Sequence, residues 1–388
     1  MDLDASEDQE FFRATTRSFL ETELPLAAVR QLADQAAGFD REWWRRGADL
    51  GWASMLVPEA YGGGSLAGEG LLDLVIVAEE MGRLVSPGPL LVTNVVAAAV
   101  AARGTSEQCE QLLPAIVSGE VVASWALAEP GGRWQPDDLQ VEAHPRGDGF
   151  VLRGIKSHVE AAGEVDSILV TARTGDGLTQ LVVPADTAGV RLRRMESLDL
   201  VRRFAELRFE DVVLPASALL GERGAAADDV ERQLEVAVAI QCAETVGVVD
   251  RVFEFTLEYM FDRFSFGRPL ASYQALKHRM ADMKLWLEAS HATATAAAHA
   301  VQARSPDARR LASVAKSYIG DHATAIIQEC VQMHGGMGVT WDHDIHLYLR
   351  RAAVNRVVYG TPSEHRERLA VGMGLDSLEA ASCEPGLR

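Results

Sequence analysis

Between Asp262 and Met283 the chain reads DRFSFGRPLASYQALKHRMADM, which sets a cation, an aromatic ring and an amide close together as Arg263, Phe266 and Gln274. A guanidinium is a planar fork of donors that matches phosphate oxygens, and a glutamine amide both donates and accepts. Gly267 and Pro269 interrupt the helical pattern that carries Val252, Phe255, Leu257 and Met260, since glycine frees the backbone and proline cannot continue a helix. The polar groups therefore stand at a corner between two helices. A capped interhelical turn with an exposed arginine is the structural alternative. A second run, Gln332-Met333-His334-Gly335-Gly336-Met337-Gly338-Val339-Thr340, sets another amide against a glycine turn. A third candidate is Glu244, in the apolar stretch Cys242-Ala243-Glu244-Thr245-Val246-Gly247. Burial favours the neutral form of a carboxyl group and so readies it to accept a proton. The structural alternative is a buried carboxylate paired with an arginine from another helix. His343 and His346, with Asp342 and Asp344, form too short a cluster for a metal site, and helix stabilisation or subunit contact is the expected role.

These residues need elements to hold them. The chain has 388 residues with 48% hydrophobic content, enough for two or three domains with sizeable cores. Residues 1–120 read as helical. Ser6-x-x-Gln9 and Thr105-x-x-Gln108 are capping boxes, and Asp40 precedes a helix bearing Trp43 and Trp44. Over 121–224 short runs rich in Val, Leu and Phe alternate with Gly, Pro and Asp, as in Val121–Ala128, Phe150–Gly154, Ser167–Ala172 and Ala205–Val213. That spacing suggests a β-barrel or sandwich. Over 225–388 long helical patterns span Ala225–Phe261, Ser272–Arg304 and Asp307–Met333, and another runs from His346 into Arg366–Leu369. Together they suggest a four-helix bundle.

Formal net charge is −19, which disfavours nucleic acid and anionic membranes as partners. An anionic cofactor must be met by local donors. No apolar run is long and charge-free enough to span a membrane. The acidic start MDLDASEDQE lacks the order of a signal peptide. Cys109, Cys242, Cys330 and Cys383 form no CxxC pair, which points to a reducing cytoplasm and away from structural zinc.

The Arg263 corner and the Gln332–Thr340 run resemble the two flavin-contacting blocks of the acyl-CoA dehydrogenases. Softer matches extend the resemblance along nearly the whole chain, at Pro58–Gly63 and Leu112–Glu120. The resemblance implies an α+β multidomain chain: a helical N-terminal domain (1–120), a central β-barrel (121–224) and a C-terminal four-helix bundle (225–388). It implies FAD as cofactor, α,β-desaturation of an acyl-CoA thioester, and an electron-transfer flavoprotein as acceptor. It also implies a flavin site shared between chains of a homo- or hetero-dimer or tetramer. The cofactor contacts it implies are Arg263, Phe266, Gln274, Gln332, Gly335, Gly336, Thr361, Glu129 and His158.

Two departures stand out. The family's glutamate base falls on Tyr359 in Tyr359-Gly360-Thr361, and the alternative position falls on Ala237. A neutral phenol is a poor base for this step. Glu244 lies two helical turns beyond Ala237, about 10 Å along one face. A branch of the family, many of whose members act on bulky acyl-CoAs, is similar in carrying a Glu three residues before Gly247. The match includes its later block, here Gly336 to Trp341, His343, Asp344, His346 and Tyr348. The resemblance thus points to Glu244 as the catalytic base. In the β-domain, Ala128-Glu129-Pro130-Gly131-Gly132-Arg133-Trp134 lacks the two hydroxyls that face the flavin in the family, and His158 takes an aromatic position. The alternative these changes imply is a non-catalytic subunit that completes the flavin site of a homologous partner.

Overall fold

The computed structural model describes residues 6–35, 37–132, 134–136 and 139–373. Arg133 and Cys383 lie outside the described residues. Both predicted capping boxes form. Ser6 and Gln9 open α1 (Glu7–Glu23), and Thr105 and Gln108 open α6 (Ser106–Val117). Each satisfies backbone N–H groups that the first helical turn leaves orphaned. Asp40 caps α3 (Arg41–Asp49) by accepting from the Trp43 N–H at 2.8 Å. α2 (Leu26–Leu32), α4 (Gly70–Arg83) and α5 (Leu90–Arg103) complete the N-terminal helices. α4 and α5 are buried along most of their length, as their continuous apolar sequence requires.

The middle region is one sheet: β1 (Ala123–Ala126), β2 (Glu142–Arg146), β3 (Gly149–Glu160), β4 (Ser167–Thr174), β5 (Gly177–Pro184), β6 (Val190–Met195), β7 (Phe204–Leu214) and β8 (Leu219–Leu220). Its order is β6-β7-β3-β2-β4-β5-β8, with β1 pairing parallel to β4. Among the described residues no pairing joins β6 to β8, so the sheet is open along its hydrogen bonds. β3 and β7 form its long antiparallel ribbon, one strand in from the β6 edge, with a register shift between Lys156 and Val159.

The C-terminal helices are α7 (Ala227–Asp262), α8 (Gln274–Gln302), α9 (Ala308–His334), α10 (Ile345–Val357) and α11 (Pro362–Gly372). α7 is the spine, packed on α4, α8, α9 and α10. It meets α4 backbone to backbone. A β-carbon added at Gly82 would lie 2.0 Å from the Glu244 carbonyl oxygen, and one at Gly247 would lie 1.9 Å from the Glu79 carbonyl oxygen. Only glycine lets the helices approach so closely, and this crossing fixes where Glu244 sits. The expected continuous last helix is two helices. Tyr359 and Gly360 at φ 63° and 105° end the first, and Thr361 with Pro362 starts the next. Among the described residues no helix is long and apolar enough to cross a membrane.

Candidate active site

The helical corner contains a two-strand hairpin, β9 (Phe264–Ser265) and β10 (Arg268–Pro269). Its loop residues Phe266 and Gly267 both have positive φ, 52° and 81°, as a tight two-residue hairpin turn demands. The conformation is natural for Gly267 and costly for Phe266, whose ring is 98% exposed. Tyr273 holds the hairpin down: its hydroxyl donates to the Ser265 carbonyl at 2.7 Å, and Arg268 lies over its ring at 3.9 Å. Arg263 and Gln274 are exposed, and among the described residues no side chain pairs with Arg263.

The second run meets this corner through α7. The Tyr259 and His334 rings lie 4.3 Å apart, and His334 Nε2 is 3.2 Å from Thr256 Oγ1. Burial pulls His334 down to about 4, so the ring is neutral. Gln332, Gly335 and Gly336 are exposed, and a β-carbon on either glycine would meet open space. Phe264, Met337, Val339 and Trp341 are exposed around them. Each of the two sequence blocks is thus open, the first with a free cation and an amide, the second with an amide and bare backbone.

Glu244 has the opposite character. Its side chain is 14% exposed and both oxygens are occupied. Oε1 accepts from Arg351 Nη1 at 2.6 Å; Oε2 accepts from Arg202 Nη1 at 3.2 Å and from Asn355 Nδ2 at 3.0 Å. The structural alternative is met by Arg351, which comes from another helix, α10, and a second arginine, Arg202, comes from the loop before β7. Arg202 also forks onto Glu160, with Nε and Nη2 at 2.7 and 2.8 Å from its oxygens. Arg351 pairs with Asp199 and donates to the Ser86 carbonyl at 3.1 Å. Burial pushes Asp199 up, but Arg351 and the Val201 and Arg202 N–H groups outweigh it and hold its carboxyl below the usual range. Beside this hub Lys316 donates to Gln241 and to the Asn355 and Val358 carbonyls, and burial pulls its ammonium down to about 7. A cavity of about 30 Å³ opens between the hub, Met81, Leu90 and Ile240.

The β-domain face is filled. Trp134 is buried with its ring 5.0 Å from Tyr359, and Tyr359 stacks on Trp125 at 6.2 Å. Burial pushes the Tyr359 phenol up, so it is neutral. His158 sits at the register shift of β3 with φ 52°, its Nδ1 3.0 Å from Ser157 Oγ and its ring 6.2 Å from Trp134. Burial lowers its affinity for protons. The Glu129 carboxylate is engaged within the fold. Its oxygens accept from Lys156 Nζ at 2.8 Å and from the Gln140 and Val141 N–H groups at 2.6 and 2.9 Å. A carboxylate buried this way must be paired, and Lys156, pulled down to about 8 by burial, is its counter-ion. Thr361 is also used locally, as the cap of α11 accepting from the Glu364 N–H at 3.3 Å.

The described residues at the corner fit a dinucleotide's diphosphate: an unpaired guanidinium, two amides and glycines that let a ligand reach the backbone. On the β-domain side, the Trp125, Trp134, His158 and Tyr359 rings pack together near the Glu160–Arg202 pair. Sequence reading missed Arg202, Arg351, Glu160, Asp199 and Asn355. The signal was present only in outline: Arg351 and Asn355 are polar residues on the apolar face of α10, and both are buried there.

Three family descriptions match the chain: "Acyl-CoA dehydrogenase, N-terminal domain" over residues 6–120, "middle domain" over 124–212 and "C-terminal domain" over 227–374. Acyl-CoA dehydrogenase IpdE2 of Mycolicibacterium smegmatis is 31% identical over 94% of this chain and 98% of its own length. Among solved structures, a variant of the Tcur3481-Tcur3483 steroid ACAD is similar, with TM-score 0.86 at 30% identity, covering 96% of this chain and 99% of that one. The ChsE4-ChsE5 complex from Mycobacterium tuberculosis matches with TM-score 0.86 at 26% identity over 96% and 99% of the two chains.

Proposed function

The chain belongs to the acyl-CoA dehydrogenase family, and we propose that it acts in FAD-dependent α,β-desaturation of an acyl-CoA with a bulky acyl group. Family members are oxidoreductases acting on a CH–CH bond of the acyl group, and bound FAD supplies the acceptor for the hydride that leaves the β-carbon. The observation that carries the reading is the exposed, unpaired Arg263 at the open corner, with Gln274 and the Gln332–Gly336 turn likewise exposed. Arg263 is the proposed diphosphate ligand and Phe266 the proposed packing surface, with Gln274, Gln332, Gly335 and Gly336 around them. His158 is proposed on the ring side.

Glu244 is the proposed acceptor of the α-proton, since it lines the cavity beside the hub. Two guanidinium groups and the Asn355 amide fill its acceptor sites, so one of these donors must turn away as the substrate enters. Glu244→Gln preserves shape and removes the base. In rapid mixing with substrate, flavin reduction is expected to slow by about a hundredfold to ten-thousandfold. An unchanged rate would make Glu244 purely structural.

The packed Trp134–Tyr359 face supports a second reading, in which this chain completes the flavin site of a homologous chain. The relative solved as a ChsE4-ChsE5 complex combines differently named chains. The visible absorbance of the chain purified alone separates the readings: flavin bound by the chain alone favours the first, flavin only in a mixed assembly the second. The proposal further includes closure of the central sheet into a barrel and a dimer or dimer of dimers through the helical bundle, with the Gln332–Gly338 turn near the interface. It also includes an electron-transfer flavoprotein as acceptor and a cytoplasmic location, in keeping with the buried, unpaired Cys109, Cys242 and Cys330.

A further inference from the structure

We propose that Glu79, Asp250 and His291 form a binding site for a divalent transition-metal ion of the zinc type, one that ties the N-terminal helices to the C-terminal bundle. The proposal is independent of the dehydrogenase reading. The three residues come from three helices, Glu79 from α4, Asp250 from α7 and His291 from α8. All are partly buried, and one ligand atom of each lies within 4.8 Å of the other two. His291 Nε2 is already 3.0 Å from Asp250 Oδ1. The backbones beneath them are fixed, because Gly247 lets α7 lie against the Glu79 carbonyl and Asp250 follows one turn later. Ligand atoms carried by closely crossing helices need little rearrangement to close on an ion.

The donor set and the space around it narrow the ligand. An imidazole with two carboxylates suits zinc and its neighbours, whereas magnesium and calcium take oxygen ligands. Zinc lies about 2.0–2.2 Å from such ligands, so a tetrahedral site sets them about 3.4 Å apart. The His291–Asp250 contact is already that close, and Glu79 has to travel no more than about 1.5 Å. A groove of about 190 Å³ between α1, α4, α7 and α8 borders Glu79 and His291 and has room for the water that fills a fourth position. Arg13 holds Glu79 in the metal-free protein, with Nη1 at 3.0 Å. It also reaches Glu80 at 3.3 Å and Glu10 at 3.7 Å, so it keeps carboxylate partners when Glu79 turns to the ion. A proton on His291 Nε2 leaves to solvent as the ion enters, since an imidazole binds metal through a bare nitrogen. The site contains no cysteine, so the scattered cysteines do not speak against it.

The test uses the full chain, stripped of metal with a chelator and then titrated with zinc chloride in a calorimeter. One ion per chain is expected, with a rise in the temperature of thermal unfolding, because the ion binds the folded state. Glu79→Gln and Asp250→Asn keep shape and remove a ligand charge, and His291→Ala removes the nitrogen. Losing even an outer partner of a metal ligand costs about tenfold to a hundredfold in affinity. Each variant should therefore weaken zinc binding by about a hundredfold or more and abolish the thermal rise. The zinc-induced rise is the readout rather than absolute stability, because each variant also breaks an ion pair. His299→Ala, in the same groove two turns further along α8, should leave affinity and rise unchanged. A wild type that binds no zinc, an affinity unchanged in the three ligand variants, or equally tight binding of magnesium would overturn the proposal. Anomalous diffraction from zinc-soaked wild-type crystals needs no variant to fold. A signal within bonding distance of all three residues is expected, and one confined to others of the chain's ten histidines would overturn the site.

Discussion

The open corner around Arg263 and the closed hub around Glu244 stand at opposite extremes of hydrogen-bond satisfaction. At the corner a guanidinium, an amide and a phenylalanine ring at positive φ are exposed with little to hold them. In the hub each carboxylate meets an arginine and each arginine meets more than one acceptor. A protein keeps a strained, unsatisfied surface where something else is to complete it, and a saturated buried network where the fold itself depends on it. The contrast supports the proposal that recognition lies at the corner and architecture in the hub. It leaves Glu244 as the residue on which the two roles compete.

The largest expected effect comes from breaking the hub. Arg351→Ala would leave Asp199 and Glu244 buried with one guanidinium fewer, and removing one partner of a buried pair costs about 3–5 kcal/mol. Urea unfolding should register that loss. A cost under about 1 kcal/mol would mean that water reaches the hub and that Glu244 is freer than its contacts imply. Arg351→Met, which fills volume without restoring charge, should not rescue stability, because the two acids remain unpaired.

The unequal legibility of the two regions follows from how each is assembled. The corner is built from neighbours in sequence, so Arg263, Phe266, Gly267 and Gln274 could be read together, although the small hairpin between the helices could not. The capping boxes at Ser6 and Thr105 were legible for the same reason. The hub joins Glu160 of β3, Asp199 and Arg202 of a loop, Glu244 of α7 and Arg351 and Asn355 of α10. No local pattern links residues so far apart, and only the pairing of Glu244 with some arginine was foreseeable. Glu129 makes the same point from within a motif: nothing in its neighbours in sequence announced that its carboxylate would meet Lys156 and two backbone N–H groups.

Lys316 offers a smaller and reversible perturbation of the same hub. Its ammonium titrates near 7 in the fold because burial penalises the charge, against about 10.4 in an unfolded chain. Between those values the unfolded chain binds more protons, so unfolding free energy rises with pH across this window. Its slope is at most about 1.4 kcal/mol per pH unit for one group. Below about pH 7 both states are protonated, the contribution is fully lost and the slope from this lysine vanishes. Lys316→Met should flatten the rise between about pH 7 and 9 in urea titrations, and an unchanged slope would assign the effect to other groups, Lys156 among them.

The smallest effect on stability, and the sharpest test of the contrast, is expected at the corner. Arg263 makes no side-chain pair among the described residues and is exposed, so Arg263→Ala should shift stability by less than about 0.5 kcal/mol. The same change removes the unpaired cation proposed to meet the diphosphate. Charge-assisted bonds to phosphate are among the stronger ones a protein makes, so flavin content should fall in whichever assembly forms. Lys at this position should recover part of it, because an ammonium supplies charge without the bidentate fork. The two readouts together discriminate where either alone would not. Lost flavin with unchanged thermal unfolding of the flavin-free protein marks a recognition surface. Loss of both would make the corner part of the architecture, and retained flavin would move the diphosphate elsewhere.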